Sequence, residues 1–117
     1  MLISKLTQKV NMTPLNAVYD KEIVGGLVTD MVSDVMTSGQ AGNIWVTVQT
    51  NKKVIAAANL VDIAAVVITQ GKTVGNDVLQ AADGAQITVF STTLTSWDFV
   101  GELYALGIRI SPYNPIR

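Results

Sequence analysis

IVGGLVTDMVSDVMTSGQAGNIWVTVQTNKKVIAAANLVDIAAVVITQGKT, residues 23–73, decides the fold of this 117-residue chain. Three apolar runs in it end in polar tips, at VGG, TVQTN and ITQGKT. Residues 44–50 form a β-rich run, residues 52–61 an Ala-rich helical stretch, and residues 64–69 the near-continuous apolar AAVVIT of a strand buried on both faces. Strand, helix and strand at this spacing predict a βαβ unit with parallel strands and a right-handed crossover.

Outward from that unit the alternation continues. Downstream, residues 76–83 predict a short helix, residues 86–91 a third strand and residues 96–106 a last helix, entered through the cap TSWD from Thr95 and closed by Gly107. Trp97, Val100, Leu103 and Tyr104 stand at core spacing on that helix. Upstream, residues 23–28 predict a strand containing Gly25-Gly26, followed by a helix capped by Thr29 or Asp30. That helix sets Met31, Val32, Val35 and Met36 toward a core and Asp30, Ser33, Asp34 and Thr37 away from it. Residues 2–10 suit a first helix and residues 12–18 a strand, while residues 111–117 read as an extended tail after a single domain over residues 1–110. The expected architecture is a three-layer α/β/α domain with a mixed, largely parallel sheet.

Composition restricts function. Eight Lys and Arg stand against nine Asp and Glu without a basic cluster, so the electrostatic footprint of a nucleic-acid binder is missing. The longest apolar stretch, around residues 56–68, is broken by Asn59 and Asp62, and the N-terminus lacks the apolar core of a signal peptide. A cytoplasmic protein away from membranes is expected. The chain has neither Cys nor His. Disulfides, thiolate metal sites and the commonest general base are therefore excluded, leaving carboxylates, Lys and Tyr for acid–base work. A non-enzyme with no cofactor and no resident metal is the expectation.

Candidate sites each have a structural competitor. QGKT, residues 70–73, follows a strand, but a phosphate loop needs Gly where the chain has Val66. Gly71 then serves either a turn needing positive φ or the close approach of a phosphate. Asp30 and Asp34, one helical turn apart, suit a cap plus a first-turn carboxylate, or a cation. Met31 and Met36 read as core filler, and Trp45 and Trp97 as packing rather than base stacking. The polar strand ends converge at one edge of a parallel sheet, where helix N-termini favour anions. There Thr50, Asn51 and Lys52, then Thr69 and Gly71, then Ser91 and Thr92 form the candidate ligand site, with Lys52 supplying charge recognition, Thr69 and Ser91 hydroxyls, and Gly71 backbone access. The competing reading has Thr50, Asn51, Thr95 and Ser96 capping helices and the rest solvating loops.

These tips also carry a family likeness. DRTGG domains join a strand ending in Asp-Arg at the start of a helix to a following strand ending in Thr-Gly-Gly. This chain has Asn51-Lys52 after TVQT and Thr69-Gln70-Gly71 after AAVVI, so Asn stands for Asp, Lys for Arg and Gln for the first Gly. With VGGLVTDMVSDVM upstream, the chain resembles a small stand-alone branch of the DRTGG family. The resemblance implies a fold similar to the N-terminal domain of HPr kinase and a regulatory, non-catalytic role, since such domains accompany phosphotransacetylases, cobyrinic-acid-synthase-like proteins and CBS-domain proteins. It implies a small anionic metabolite or nucleotide as ligand and a metabolic enzyme as possible partner. A homodimer is expected separately, because Ala56, Ala57 and Ala58 allow close helix approach and a small sheet leaves edges to cover.

Overall fold

The computed structural model describes residues 1–109, so the tail expected at residues 111–117 lies outside the described residues. Its strands are β1 (Thr13–Pro14), β2 (Gly26–Val28), β3 (Ile44–Thr47), β4 (Ala65–Ile68) and β5 (Thr88–Ser91). Its helices are α1 (Ile3–Leu6), α2 (Val32–Ser38), α3 (Lys52–Val61), α4 (Asn76–Gly84) and α5 (Ser96–Ala105). The sheet runs β1-β5-β4-β3-β2, with β2 to β5 parallel and β1 antiparallel on β5. The mixed, largely parallel α/β sheet expected from the sequence is present.

One topological fact positions everything else. From β2 through β5 each crossover steps to the next strand in the same direction, and right-handed crossovers that all step one way place their helices on one face. That face holds α2, α3 and α4, with Val35, Val54, Ala58, Val78 and Ala82 packed on Trp45, Val66 and Val89. The opposite face is left to α1 and α5, whose Ile3, Leu6, Phe99 and Leu103 cover Ile44, Val46, Val67 and Phe90. The alternation along β3 and β4 follows directly: neighbouring residues of a strand enter opposite cores, and all eight are buried.

Several expectations change in detail. The strand over residues 12–18 shrinks to Thr13–Pro14, because Asn16 replaces the ladder with its side chain: its Oδ1 accepts from Val89 N–H at 2.7 Å while its Nδ2 donates to the carbonyl of Ile87 at 2.9 Å. Pro14, without an N–H, suits this edge position. Helix α2 starts later than expected, with Met31 at the N-cap and no side-chain cap. Asp30 is drawn instead to the end of β3. Met31 and Met36 are exposed rather than core filler, and Val35 is the residue of α2 that is fully buried. On α5 the core contacts come from Phe99 and Leu103 with the partly buried Val100 packed against them, whereas Trp97 is 87% exposed and Tyr104 53% exposed. Trp45 packs as expected, buried with its indole N–H donated to the carbonyl of Thr29 at 2.8 Å. Of the three alanines on α3, Ala57 and Ala58 are buried in the core, so the close approach they permit is that of α3 to its own sheet.

Candidate functional site

The carboxyl ends of β3, β4 and β5 lie side by side, as the parallel register requires, but their polar residues divide into two groups with different duties. At the end of β3, the fully buried Thr47 donates its hydroxyl to Asp30 Oδ1 at 2.9 Å, and the same oxygen accepts from Val48 N–H at 2.9 Å. Asp34 accepts from the hydroxyl of Thr29 at 2.8 Å. The two aspartates are thus engaged separately, one stitching β2 to β3 and the other fixing the entry to α2. No group of three potential metal-ligating side chains occurs among the described residues.

Between β4 and β5 the chain turns to opposite faces, since the loop after β4 leads to α4 and the loop after β5 to α5. Such a divergence opens the crevice where α/β sheets bind ligands. Here the two loops are laced together across it. Gln70 N–H donates to the carbonyl of Leu94 at 2.9 Å, Gly71 N–H to that of Thr92 at 2.9 Å, and Thr92 N–H to that of Ile68 at 3.0 Å. Beneath them the buried Thr69 hydroxyl pairs with that of Ser96 at 2.7 Å, and Thr92 Oγ1 accepts from Leu94 N–H at 3.2 Å. Thr69, Gly71 and Thr92 therefore spend their hydrogen-bonding groups on a loop clasp, with the partly buried Ser91 beside them at the end of β5.

Thr50, Asn51 and Lys52 face open space instead. Together with Lys53 they form one wall of a cleft of about 480 Å³, whose other wall is Gly75, Asp77 and Val78. The cleft joins the N-terminal turns of α3 and α4. Asn51 is the N-cap of α3, its Oδ1 accepting from Lys53 N–H at 2.9 Å, whereas α4 begins at Gly75 without any side-chain cap. Both turns direct partial positive charge into the same space. Lys52 and Lys53 add full charges, and Asp77 is the one opposing carboxylate in the lining. A Cβ at Gly75 would fall 2.7 Å from Asp77 Oδ1, so any larger residue there would push the exposed Asp77 side chain aside.

Of this cleft the sequence indicates Thr50, Asn51 and Lys52, while Lys53, Gly75, Asp77 and Val78 were not among the expected site residues. Their signal was available: consecutive right-handed crossovers bring the starts of α3 and α4 to the same edge and the same face of the sheet.

Residues 13–106 match the family model of the DRTGG domain. The chain belongs to the DRTGG family. No curated protein matches it. Among solved structures it is similar to the CBS and DRTGG domains of the regulatory region of Clostridium perfringens pyrophosphatase, a structure complexed with its activator diadenosine tetraphosphate, with a TM-score of 0.68 at 14% identity. That match covers 86% of this chain and 45% of the other, so the chain spans less than half of that regulatory region.

The family's signature positions acquire a geometry. Asn51-Lys52 opens α3 and Thr69-Gln70-Gly71 follows β4, on adjacent parallel strands, with Thr69 N–H donating to the carbonyl of Thr47 at 3.0 Å. Gln70 and Gly71 both hold positive φ, 65° and 64°. Two successive left-handed residues explain why a DRTGG domain carries Gly-Gly here, and they make Gln70 the strained member of this chain's pair.

Proposed function

We propose that this DRTGG protein is a non-catalytic regulatory module that binds a small anionic or nucleotide ligand at the strand C-terminal ends, in the cleft between the first turns of α3 and α4. The observation that carries this reading is the convergence of two helix N-termini and two lysines, Lys52 and Lys53, on one open cleft. Family membership supports the regulatory role, and the fold shared with a regulatory region that was solved with a dinucleotide activator supports the ligand class. The absence of His and Cys from the sequence supports a role without catalysis. In this reading Lys52 and Lys53 neutralise phosphate or carboxylate charge, the uncapped N–H groups of α4 receive its oxygens, and the clasp at Thr69 and Thr92 holds the neighbouring strand ends in place.

The test is a thermal-shift panel of adenine nucleotides and acyl phosphates on the parent, Lys52→Ala and Lys53→Ala proteins. A ligand at 100 times its Kd stabilises the parent by about 2.7 kcal/mol, and the lysine variants lose most of that shift. Stabilisation undiminished in both variants, or no ligand across the panel, refutes the proposed site. A second reading, an interaction protein that works without a ligand, is favoured by the exposed apolar face of α5.

A further inference from the structure

Because α2, α3 and α4 all occupy one face, the other face is covered by α5, the single turn of α1 and the Ile108–Arg109 segment, whose Arg109 carbonyl accepts from Gly26 N–H at 3.0 Å. Among the described residues the end of edge strand β2 keeps Val28 exposed. An apolar groove of about 270 Å³ results, floored by Gly26, Val28 and Val46 and walled by Val100, Leu103 and Tyr104 of α5. Val28 is 53% exposed although its neighbour in register, Val46, is buried. The outer face of α5 continues this surface through Trp97, at 87% exposure the most exposed large apolar side chain among the described residues. Trp97, Val100, Gly101 and Tyr104 fall on one helical stripe.

The character of the groove selects its occupant. It is smaller than the ~300–1,000 Å³ of ordinary ligand pockets. Its charged lining residue, Arg109, is already stacked 3.9 Å from the centroid of the Tyr104 ring, leaving nothing aimed at a phosphate. An aromatic side chain from a protein fits better. Trp97, Tyr104 and Val28 together expose on the order of 400 Å² of mainly apolar surface, taking about 150–250 Å² for each whole aromatic side chain. That reaches the largest patches of ordinary monomers and about half of the ~800 Å² per partner in a standard stable interface.

We infer that this face is a two-fold interface between two copies of the chain, in which Trp97 of each copy enters the groove beside α5 of the other. This inference stands independently of any ligand in the α3–α4 cleft. A closed dimer needs a self-complementary patch, and this one carries its protrusion and its recess on the same helix. Trp97 and Tyr104 are seven residues apart, about 10 Å along the axis, and Gly101 lies close to the midpoint. A two-fold axis passing there exchanges protrusion and recess. Gly101 is otherwise unexplained: glycine disfavours a helix interior, its φ is not positive, and a Cβ built on it meets nothing within 4 Å of its own chain. Close approach of a second α5 supplies the missing reason.

Sedimentation velocity from 1 to 100 μM, run beside tryptophan emission, tests the interface. The parent should be a dimer with a micromolar dissociation constant, and dilution should red-shift the emission of Trp97 against the constant buried signal of Trp45. Trp97→Arg should raise the dissociation constant at least tenfold with unchanged far-UV circular dichroism. Gly101→Gln should do the same while raising the melting temperature of the monomer, since it improves the helix; this separates interface from folding. Leu60→Arg, on exposed α3, should leave the dimer intact. A parent that is monomeric at 100 μM overturns the inference, and if its groove then binds an apolar dye only after deletion of residues 110–117, the occupant is the chain's own C-terminal segment. A dimer lost in Leu60→Arg but kept in Trp97→Arg overturns it equally.

Discussion

The Thr69–Ser96 hydroxyl pair gives the sharpest check on the clasp between β4 and β5. Thr69 is fully buried and Ser96 partly exposed, and their oxygens are 2.7 Å apart. Thr69→Val keeps shape and volume but removes the hydroxyl, leaving Ser96 Oγ able to turn toward water. Ser96→Ala instead orphans the hydroxyl of Thr69, which has no access to solvent. A neutral hydrogen bond contributes about 1 kcal/mol net, and a buried group left unpaired costs about 1–3 kcal/mol. Thr69→Val should therefore cost about 1 kcal/mol and Ser96→Ala about 2 kcal/mol, each kcal/mol corresponding to roughly 4 °C in Tm for a domain near this size. The double variant removes donor and acceptor together and should cost less than the sum, with a coupling of about 1 kcal/mol. Urea unfolding of the four proteins at pH 7 supplies the cycle. Additivity within ~0.3 kcal/mol, or a larger cost for Thr69→Val than for Ser96→Ala, would show that the pair does not hold the loops.

Two further outcomes follow from local geometry. Gln70→Gly relieves a non-glycine residue held at φ 65° and should raise stability by about 0.5–1 kcal/mol, read as a higher urea midpoint; a lower midpoint would mean that the Gln70 side chain makes a compensating contact. Stability should also fall in acid. Hydrogen bonds from Asn16 and then Tyr19 hold the carboxyl of Asp83 below its usual range, and those from the backbone and side chain of Ser4 do the same for Asp20. A depressed carboxylate contributes stability that is present above its unfolded pKa of about 4 and is lost as pH falls through the lower folded value. Tyr19, raised by its hydrogen bond to Asp83, acts at the other limit: its contribution is present below about pH 10 and is lost as pH rises through the raised value. Thermal melts from pH 2 to 7 should show a shallower acid limb for Asp83→Asn, and an unchanged slope would remove Asp83 from the linkage.

How much was legible in the sequence depended on whether a signal was local. The bounds of α3 were read correctly because Asn51 caps it through its own side chain and apolar strands flank it on both sides. The parallel orientation of β3, β4 and β5 followed from strand and helix spacing alone. Asp30 was misplaced because a carboxylate before a helix looks like a cap, whereas the hydroxyl of Thr47 and the N–H of Val48, distant in sequence, offer it two donors. The strand at residues 12–18 failed for the same reason, since the competition that ends it comes from a side chain of the strand itself bonding to β5. In the candidate site, residue types at the strand tips were readable. Which of them were already engaged with one another was not, because Gln70, Gly71 and Thr92 meet their partners through backbone groups that no residue type announces.

The reading of α5 failed in a more instructive way. Trp97, Val100, Leu103 and Tyr104 have the spacing of a buried face, yet the core side of the helix is Phe99 and Leu103. Periodicity measures how much apolar surface a helix must remove from water; it does not say against what. On α5 Phe99, Val100 and Leu103 meet the sheet, while Trp97 and Tyr104 carry apolar surface beyond what that contact covers. A chain with so little charge on that stripe satisfies its periodicity when a second surface supplies the other half of the core. The residues misassigned to the interior are thus the residues that form the proposed interface, and one physical cause, burial still owed by α5, accounts for both.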